Sequence, residues 1–179
     1  MDDPSKYQLE ALRDDGEFIL SRVVSRGDSP PTLVLAPASD QPDLASLKRL
    51  DHEFSLREQL DPAWAVRPLA FSEQRGQTTL VLEDPGGEPL DRFLRGPMEM
   101  TQFLGFAVGL ATALGGLHKR ELIHKDVKPA NVLVNPATGQ VWLTGFGLAS
   151  RLPRERQSPN LPSPSLGHSL TWPRNKPGE

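Results

Sequence analysis

A short polar loop carries the residues of this sequence that could do chemistry. His124, Asp126, Lys128 and Asn131 follow one another as His-x-Asp-x-Lys-x-x-Asn. A carboxylate can accept or orient a proton, an ammonium group can neutralise phosphate charge, and an amide oxygen can ligate a hard cation. Because Pro129 stiffens the loop, three polar side chains can be aimed at one phosphate group. The spacing therefore favours phosphate chemistry.

This loop resembles the catalytic loop of eukaryotic-type protein kinases. The resemblance implies that Asp126 accepts or orients the substrate hydroxyl proton, that Lys128 contacts the γ-phosphate, and that Asn131 holds a metal ion. It also implies ATP and Mg²⁺ as cofactors, with Asn131 and Glu83 contributing to ATP binding, and a protein as the phosphate acceptor. By the same resemblance, His124 positions the backbone and does not donate a proton.

The chain before the loop is predicted to form a β-rich small lobe. Short β-branched or apolar runs predict strands over 18–24, 32–35, 67–72 and 78–83. Apolar residues at helical spacing predict a helix over 44–60. Two strand pairs flanking one helix are the expected arrangement.

The loop itself belongs to a second, partly helical region. Pro85, Gly86 and Gly87 break the chain, as a connector between lobes would. The elements predicted after this connector are a short helix at 90–94, a long buried apolar helix from a Thr101 cap to about His118, and a hairpin of strands 132–134 and 141–143.

In this order the elements resemble a protein kinase from its small lobe into its large lobe, over residues 17–152. The predicted fold class is α+β and protein-kinase-like, with an incomplete large lobe. The predicted divisions are a small lobe at 1–84, a partial large lobe at 85–152 and a disordered tail at 153–179.

Composition argues against several other classes. The 179 residues carry a net charge of −3 without a dense basic stripe, so nucleic-acid binding is not expected. The sequence has no cysteine, which excludes a disulfide framework or a thiolate metal site. The longest apolar run, 103–117, is shorter than the ~20 residues of a membrane span, and the first residues lack a secretory pattern. A cytoplasmic protein without a membrane segment is expected.

Three departures from the kinase pattern predict impaired catalysis. Segment 32–37, which corresponds to the third strand, lacks the expected lysine. Gly16 and Gly27 do not form the Gly-x-Gly-x-x-Gly loop that covers the phosphates. Gly145 stands where kinases place a metal-binding aspartate before Phe-Gly, and glycine has no side-chain oxygen for Mg²⁺. Asn131 alone is a poor metal anchor.

Glu53 lies in the predicted helix where a kinase has the glutamate that pairs with the strand-three lysine. That lysine is missing from the sequence. Glu53 is therefore expected to be a solvated helix carboxylate.

The end of the chain suggests a change of reading frame. Phrases over 133–139 and 147–155 resemble the N-terminal serine/threonine-kinase-like domain of bacterial hybrid sensor histidine kinases. Residues 164–179, back-translated with permitted codons and read in another frame, give Ile-Ala-Gly-Thr-Leu-Ala-Tyr-Met-Ala-Pro-Glu-Gln-Thr-Gly-Arg-Met. This contains the Ala-Pro-Glu that ends a kinase activation segment. A frameshift near Gln157 and an out-of-frame tail are expected.

The sequence thus supports a fragment of a serine/threonine-kinase-like domain with impaired catalysis. Two alternatives stay open from the residues alone. One is a non-catalytic pseudokinase module that receives signals or docks partner modules of a sensor histidine kinase. The other is a pseudogene product.

Overall fold

A five-stranded antiparallel sheet forms the first half of the chain in the computed structural model, which describes residues 7–152 except 26, 28 and 75. The predicted tail at 153–179 lies outside these residues. Sheet neighbours follow the order β1-β2-β3-β5-β4. Its strands are β1 (Tyr7–Asp14), β2 (Phe18–Ser25), β3 (Thr32–Pro37), β4 (Pro68–Gln74) and β5 (Gln77–Glu83).

The four predicted strands are confirmed, and β1 is an addition. Tyr7, Leu9 and Ala11 alternate with Gln8 and Glu10, a strand pattern that the prediction missed, and all five of these residues are exposed. Its pairing with β2 makes it an edge strand of the sheet. The small lobe is therefore one strand larger than predicted.

Helix α1 (Leu44–Ser55) lies between β3 and β4. It begins at Asp43, whose carboxylate accepts a hydrogen bond from Ser46 N at 2.7 Å and caps the helix. The helix ends earlier than the predicted residue 60. Leu60, the last residue of the predicted apolar pattern, is buried but lies beyond the end of the helix.

The second half of the chain combines short strands with one long helix. The elements are β6 (Glu88–Pro89), α2 (Met100–Lys119), β7 (Leu122–Ile123), β8 (Val132–Val134), β9 (Val141–Leu143) and β10 (Ser150–Arg151). Strands β6, β8 and β9 form a three-stranded sheet, and β7 pairs with β10. The predicted hairpin is confirmed with its predicted bounds, while the short helix is a 3-10 turn at Leu90–Arg92.

Strand β8 contributes to two cores at once. Val132 and Val134 pack in the large-lobe cluster, whereas Leu133 packs among the leucines of the small lobe. This follows from the alternation of side chains along a strand. Main-chain bonds add a second link, because Val66 N–H donates to Leu143 O and Leu143 N–H donates to Trp64 O, both at 2.9 Å. The two lobes therefore share a continuous interior.

Helix α2 is apolar but only partly covered. Phe106, Ala113 and Leu117 are buried. On the other side, large apolar residues are exposed, among them Phe103 at 54% and Val108 at 65%. The prediction of a buried helix is thus wrong for this face. By length and composition α2 could also cross a membrane, a test that core helices of soluble proteins pass as well.

The start of α2 also differs from the prediction. The helix is preceded by Glu99, which makes no side-chain cap bond, and Thr101 lies inside the first turn. Two glycines bring α2 close to its neighbours. A Cβ on Gly109 would lie 2.5 Å from Val141, and one on Gly116 would lie 2.6 Å from the ring of Trp64. Glycine at both positions permits the close packing of this helix.

Candidate functional site

The structure brings Asp126, Lys128 and Asn131 together on one short loop. The side-chain amide of Asn131 donates to the Asp126 carboxylate at 2.8 Å and to the Asp126 main-chain carbonyl at 2.7 Å. Lys128 Nζ lies 3.1 Å from the same carboxylate oxygen. A 3-10 turn over Pro129–Asn131 holds this arrangement, since Asn131 N–H donates to Lys128 O at 2.8 Å. One carboxylate, one cation and one amide are therefore preassembled.

His124 anchors this loop to the main chain. Its Nε2 lies 3.1 Å from Thr144 O, and its Nδ1 accepts a hydrogen bond from Asp126 N at 3.3 Å. The ring is buried against Phe146. Burial lowers the pKa of His124 and outweighs the Thr144 carbonyl, which favours the charged form. A neutral His124 that bridges two backbone segments positions the loop, in agreement with its predicted role.

Arg13 of β1 completes the site, and sequence reasoning missed it. Its Nη1 donates to Oδ1 of Asn131, the oxygen that a metal ion would use. The side chain is only 7% exposed because a bulge after Ala11 turns both Leu12 and Arg13 inward. Its Nε has no hydrogen-bond partner among the described residues. A single arginine in a strand gives no sequence signal that a bulge will turn it inward.

Glu53 is buried, at 2% exposure, so the expectation of a solvated carboxylate is wrong. The reason is that α1 packs on the turn at Phe146–Leu148 and directs Glu53 toward it. Leu35, on the third strand that carries no lysine, lines the cavity beside Glu53. Burial raises the pKa of Glu53, and the opposing effects of the Phe146 amide and the Arg13 charge are weaker. Its Oε1 has no partner within the described part of the chain.

The backbone conformation at position 145 favours glycine, which has no side chain to ligate a metal. Its φ of 80° lies in the left-handed region, where residues with a Cβ are strained. A Cβ at this position would lie 3.0 Å from Asn131 Oδ1 and 3.1 Å from Asn131 Cγ. Asn131 therefore fills the space into which an aspartate side chain would have to grow.

A cavity of about 270 Å³ lies between α1, the β1–β2 turn and the loop. Asp126, Lys128 and Asn131 line it together with Arg13 and Glu53. Its wall combines these charged and amide groups with apolar residues such as Phe18 and Leu50. Such a lining suits a small, highly polar group.

Glu83, predicted to contribute to ATP binding, does not line this cavity. Its carboxylate accepts hydrogen bonds from Arg67 Nε at 3.0 Å and from Arg67 Nη2 at 3.3 Å. It borders a separate pocket that Trp142 also lines. The structure therefore does not bring Glu83 to the catalytic-loop residues.

Leucine side chains fill the space between the connector and the cavity. ATP that reached from the connector to the loop would need an open slot across the lobe junction. Leu20 and Leu33 of the sheet and Leu133 of β8 belong to one cluster there, and each is 0% exposed. These three buried side chains pack against one another at the place that the base of a nucleotide would have to enter.

Arg22 ties the sheet to the connector on the outer side of these leucines. Its Nε donates to Asp84 Oδ2 at 2.6 Å, its Nη1 to Glu88 Oε1 at 2.8 Å and its Nη2 to Gly87 O at 2.6 Å. The guanidinium is mostly buried and the Asp84 side chain fully so. Opening a slot here would expose a buried ion pair, which is costly when the partners separate.

Mg²⁺ does not fit the residues present. The side-chain oxygen of Asn131 is occupied by Arg13, and Gly145 offers no ligand. Among the described residues, no group of three or more histidine or acidic side chains could hold a metal ion. Mg²⁺ requires near-octahedral oxygen coordination, which this loop does not supply.

Comparison with known proteins identifies the family pattern. A family model described as protein kinase domain matches residues 36–166, more than two thirds of the chain. This match agrees with the observed sheet and helices, and the predicted α+β, protein-kinase-like fold class is confirmed.

Several curated relatives are serine/threonine kinases. The chain is 30% identical over 125 residues to serine/threonine-protein kinase STE11 of Saccharomyces cerevisiae, covering 69% of this chain and 17% of the relative. It is 42% identical over 72 residues to serine/threonine-protein kinase PknA of Mycobacterium tuberculosis, covering 39% of this chain and 16% of the relative. It is 29% identical over 112 residues to mitogen-activated protein kinase kinase 7 of Arabidopsis thaliana, covering 62% of this chain. The chain spans only 36% of that last relative.

Proposed function

Because the chain belongs to the protein kinase family, we propose that it is a kinase-like domain with lost or strongly impaired phosphate transfer, acting as a binding module in signalling. The observation that carries this proposal is the hydrogen bond from Arg13 to the side-chain oxygen of Asn131. With Gly145 beside it, neither of the two positions that bind the metal in the family, Asn131 and Gly145, has a free side-chain oxygen.

The size of the expected impairment follows from electrostatics. Phosphoryl transfer depends mainly on positioned charge, which the strand-three lysine and the aspartate before Phe-Gly supply in active kinases. Here segment 32–37 has no lysine, and Gly145 takes the place of the aspartate. Losing one positioned group costs about 10²–10³ in rate, so two losses lower it by about 10⁴-fold or more.

An active kinase is the second candidate. It is favoured by the preassembled ion pair of Lys128 with Asp126, at 3.1 Å. In the family these positions contact the transferred phosphate and the substrate hydroxyl. The family generally uses ATP and Mg²⁺ and phosphorylates proteins, so these ligands define the assay.

Binding of ATP and phosphate transfer to a generic protein acceptor separate the two candidates. The complete chain is measured with ATP and either Mg²⁺ or Mn²⁺, beside Asp126→Asn as the matched control. We expect no nucleotide-dependent rise in melting temperature and equal background transfer from both proteins. Transfer by the wild type that Asp126→Asn loses would establish the kinase and overturn the proposal.

We further propose that the parent of this chain is a sensor histidine kinase with an N-terminal kinase-like domain, and that its downstream modules are the partners. The likeness of 133–139 and 147–155 to such domains supports this origin, and the alternative-frame reading of 164–179 supports a frameshift near Gln157. Resequencing the DNA from the Ser150 codon past the stop tests it. We expect the new read to show one base more or one base fewer than the present sequence, which would restore Ala-Pro-Glu in frame. An unchanged reading frame would contradict the proposed frameshift.

The proposed organisation is a small lobe at 1–84, a partial large lobe at 85–152 and an out-of-frame tail at 153–179, in the cytoplasm. The boundary at residue 84 does not separate the two cores completely. Trp64 and Ala65 precede it in sequence but pack with the core of the proposed large lobe.

A further inference from the structure

The turn between β1 and β2 places carboxylates at the catalytic loop. Asp15 Oδ2 lies 3.4 Å from Lys128 Nζ and 3.7 Å from Arg13 Nε. Glu17, two residues on, forms an ion pair with Arg49 of α1. In active kinases a glycine-rich loop at this place covers the phosphates of ATP. Here the same turn brings its own negative charges to the cavity.

The Asp15 carboxylate is held in place. Its Oδ1 accepts hydrogen bonds from Phe18 N at 2.8 Å and from Glu17 N at 3.2 Å, which leaves Oδ2 directed at the two cations. Gly16 permits this tight turn with a φ of 82°. Burial opposes ionisation of Asp15, but the Phe18 amide and the Arg13 and Lys128 charges outweigh it and lower its pKa. Asp15 is therefore a negatively charged group held in place beside the ammonium group of Lys128.

Arg13 supplies the complementary positive charge. It binds the oxygen of Asn131 from the small-lobe side, whereas Lys128 reaches Asp15 from the large-lobe side. Two contacts thus cross the cavity. In one the cation comes from the β1–β2 hairpin, and in the other it comes from the catalytic loop. Each uses one residue from the β1–β2 hairpin and one from the catalytic loop.

We propose that Arg13 and Asp15 replace, within the chain, the metal ion and the phosphate of a kinase's bound nucleotide, so that the lobes are joined without either ligand. Arg13 stands at the metal ligand Asn131, and Asp15 neutralises the phosphate-binding Lys128. This inference deepens the proposed function and rests on it. It assigns the loss of nucleotide binding to occupation of the site in addition to the missing residues.

The charge balance of the cavity makes the proposal specific. Its cations and carboxylates are Arg13, Arg49 and Lys128 against Asp15, Glu17, Glu53 and Asp126. An external anion therefore meets no excess of positive charge in the wild type. Removing the two turn carboxylates leaves three cations with Asp126 and the buried Glu53. The emptied cavity should then accept a phosphate group without a metal.

The test is pyrophosphate binding to the complete chain by calorimetry, in the presence of EDTA. We expect no measurable binding of pyrophosphate by the wild type. The Asp15→Ala/Glu17→Ala variant should bind it with a dissociation constant at least tenfold below the detection limit that applies to the wild type. Asp51→Ala/Glu58→Ala changes the net charge equally at exposed sites and should behave as the wild type. Equal binding by wild type and variant, or none by either, would overturn the proposal.

A double-mutant cycle keeps the proposal testable if the double alanine variant does not fold. Asp15→Asn and Lys128→Met are compared singly and together by thermal unfolding. Because the two side chains neutralise each other, we expect the combined fall in melting temperature to be clearly smaller than the sum of the single falls. Additive falls would refute the bridge. Both measurements use neither nucleotide nor metal, so they are independent of whether phosphate transfer is found.

Discussion

The lobe junction and the outer face of α2 differ in how many of their side chains find partners within the chain. At the junction, Arg13 meets Asn131, Lys128 meets Asp15, and Leu133 is enclosed by small-lobe leucines. On the outer face of α2, side chains such as Phe103 are left in water.

The difference shows where the fold has its own partners and where it lacks them. Groups at the junction come from segments up to about 118 residues apart in sequence, as for Arg13 and Asn131. The α2 face has no covering element among the described residues. A contiguous exposed apolar patch of this kind marks a contact surface or an aggregation site. The same domain is thus closed at its catalytic loop and open on one side of its longest helix.

The largest effect should come from shortening a residue of the junction core. Leu133→Ala removes a fully buried side chain that both lobes contact, and we expect a loss of about 2–5 kcal/mol in the free energy of unfolding. Urea denaturation measures it. Leu104→Ala, the same change on the exposed face of α2, is the control and should stay within about 0.5 kcal/mol of the wild type. Equal losses from both variants would remove the contrast between the two regions.

A smaller effect is expected from restoring the missing aspartate. Gly145→Asp forces a side chain into the left-handed region and against Asn131, so we expect a loss of about 1–3 kcal/mol. Gly145→Ala introduces the same backbone strain without a ligand and should lose a similar amount. The melting temperature of Gly145→Asp should not respond to Mg²⁺. A rise with Mg²⁺ in this variant alone would show that Arg13 does not block the site.

The smallest change in stability is expected on the open face. Phe103→Ser/Leu104→Ser replaces two exposed apolar side chains, so the free energy of unfolding should change by no more than about 0.5 kcal/mol per residue. Binding of a hydrophobic fluorescent dye to the native protein should fall, because the patch is its target. Val23→Ser/Val24→Ser, on the sheet, is the comparison. Unchanged dye fluorescence after the α2 substitutions would mean that the patch is covered in solution.

Local patterns predicted the parts of the fold that local patterns determine. The β8–β9 hairpin was predicted with its observed bounds, because β-branched and aromatic residues flank a turn in which Asn135 Oδ1 accepts from Ala137 N at 2.9 Å. The absence of a lysine from segment 32–37 and the missing metal ligand at Gly145 are also evident from the sequence. These features depend on residue identity and order alone.

The parts that were missed depend on tertiary structure. Arg13 is buried through a bulge, and a bulge leaves no periodic trace in a strand with an exposed beginning. Glu53 is predicted to be solvated because the sequence offers it no strand-three lysine, whereas the turn at Phe146–Leu148 that buries it comes from a distant segment. The resemblance alone implies a role for Glu83 in ATP binding, but its carboxylate pairs with Arg67 and does not line the cavity.

The shared interior of the lobes also has a dynamic consequence. Strand β8 serves both cores, and the main chain at Trp64 and Val66 is bonded to Leu143. A cleft can open and close only if few contacts between its two sides must be broken. Here the buried side chains of β8 and the main-chain hydrogen bonds to Leu143 would all have to separate. Amide protons on both sides of the junction should therefore exchange with solvent through one cooperative opening, the global unfolding of the domain.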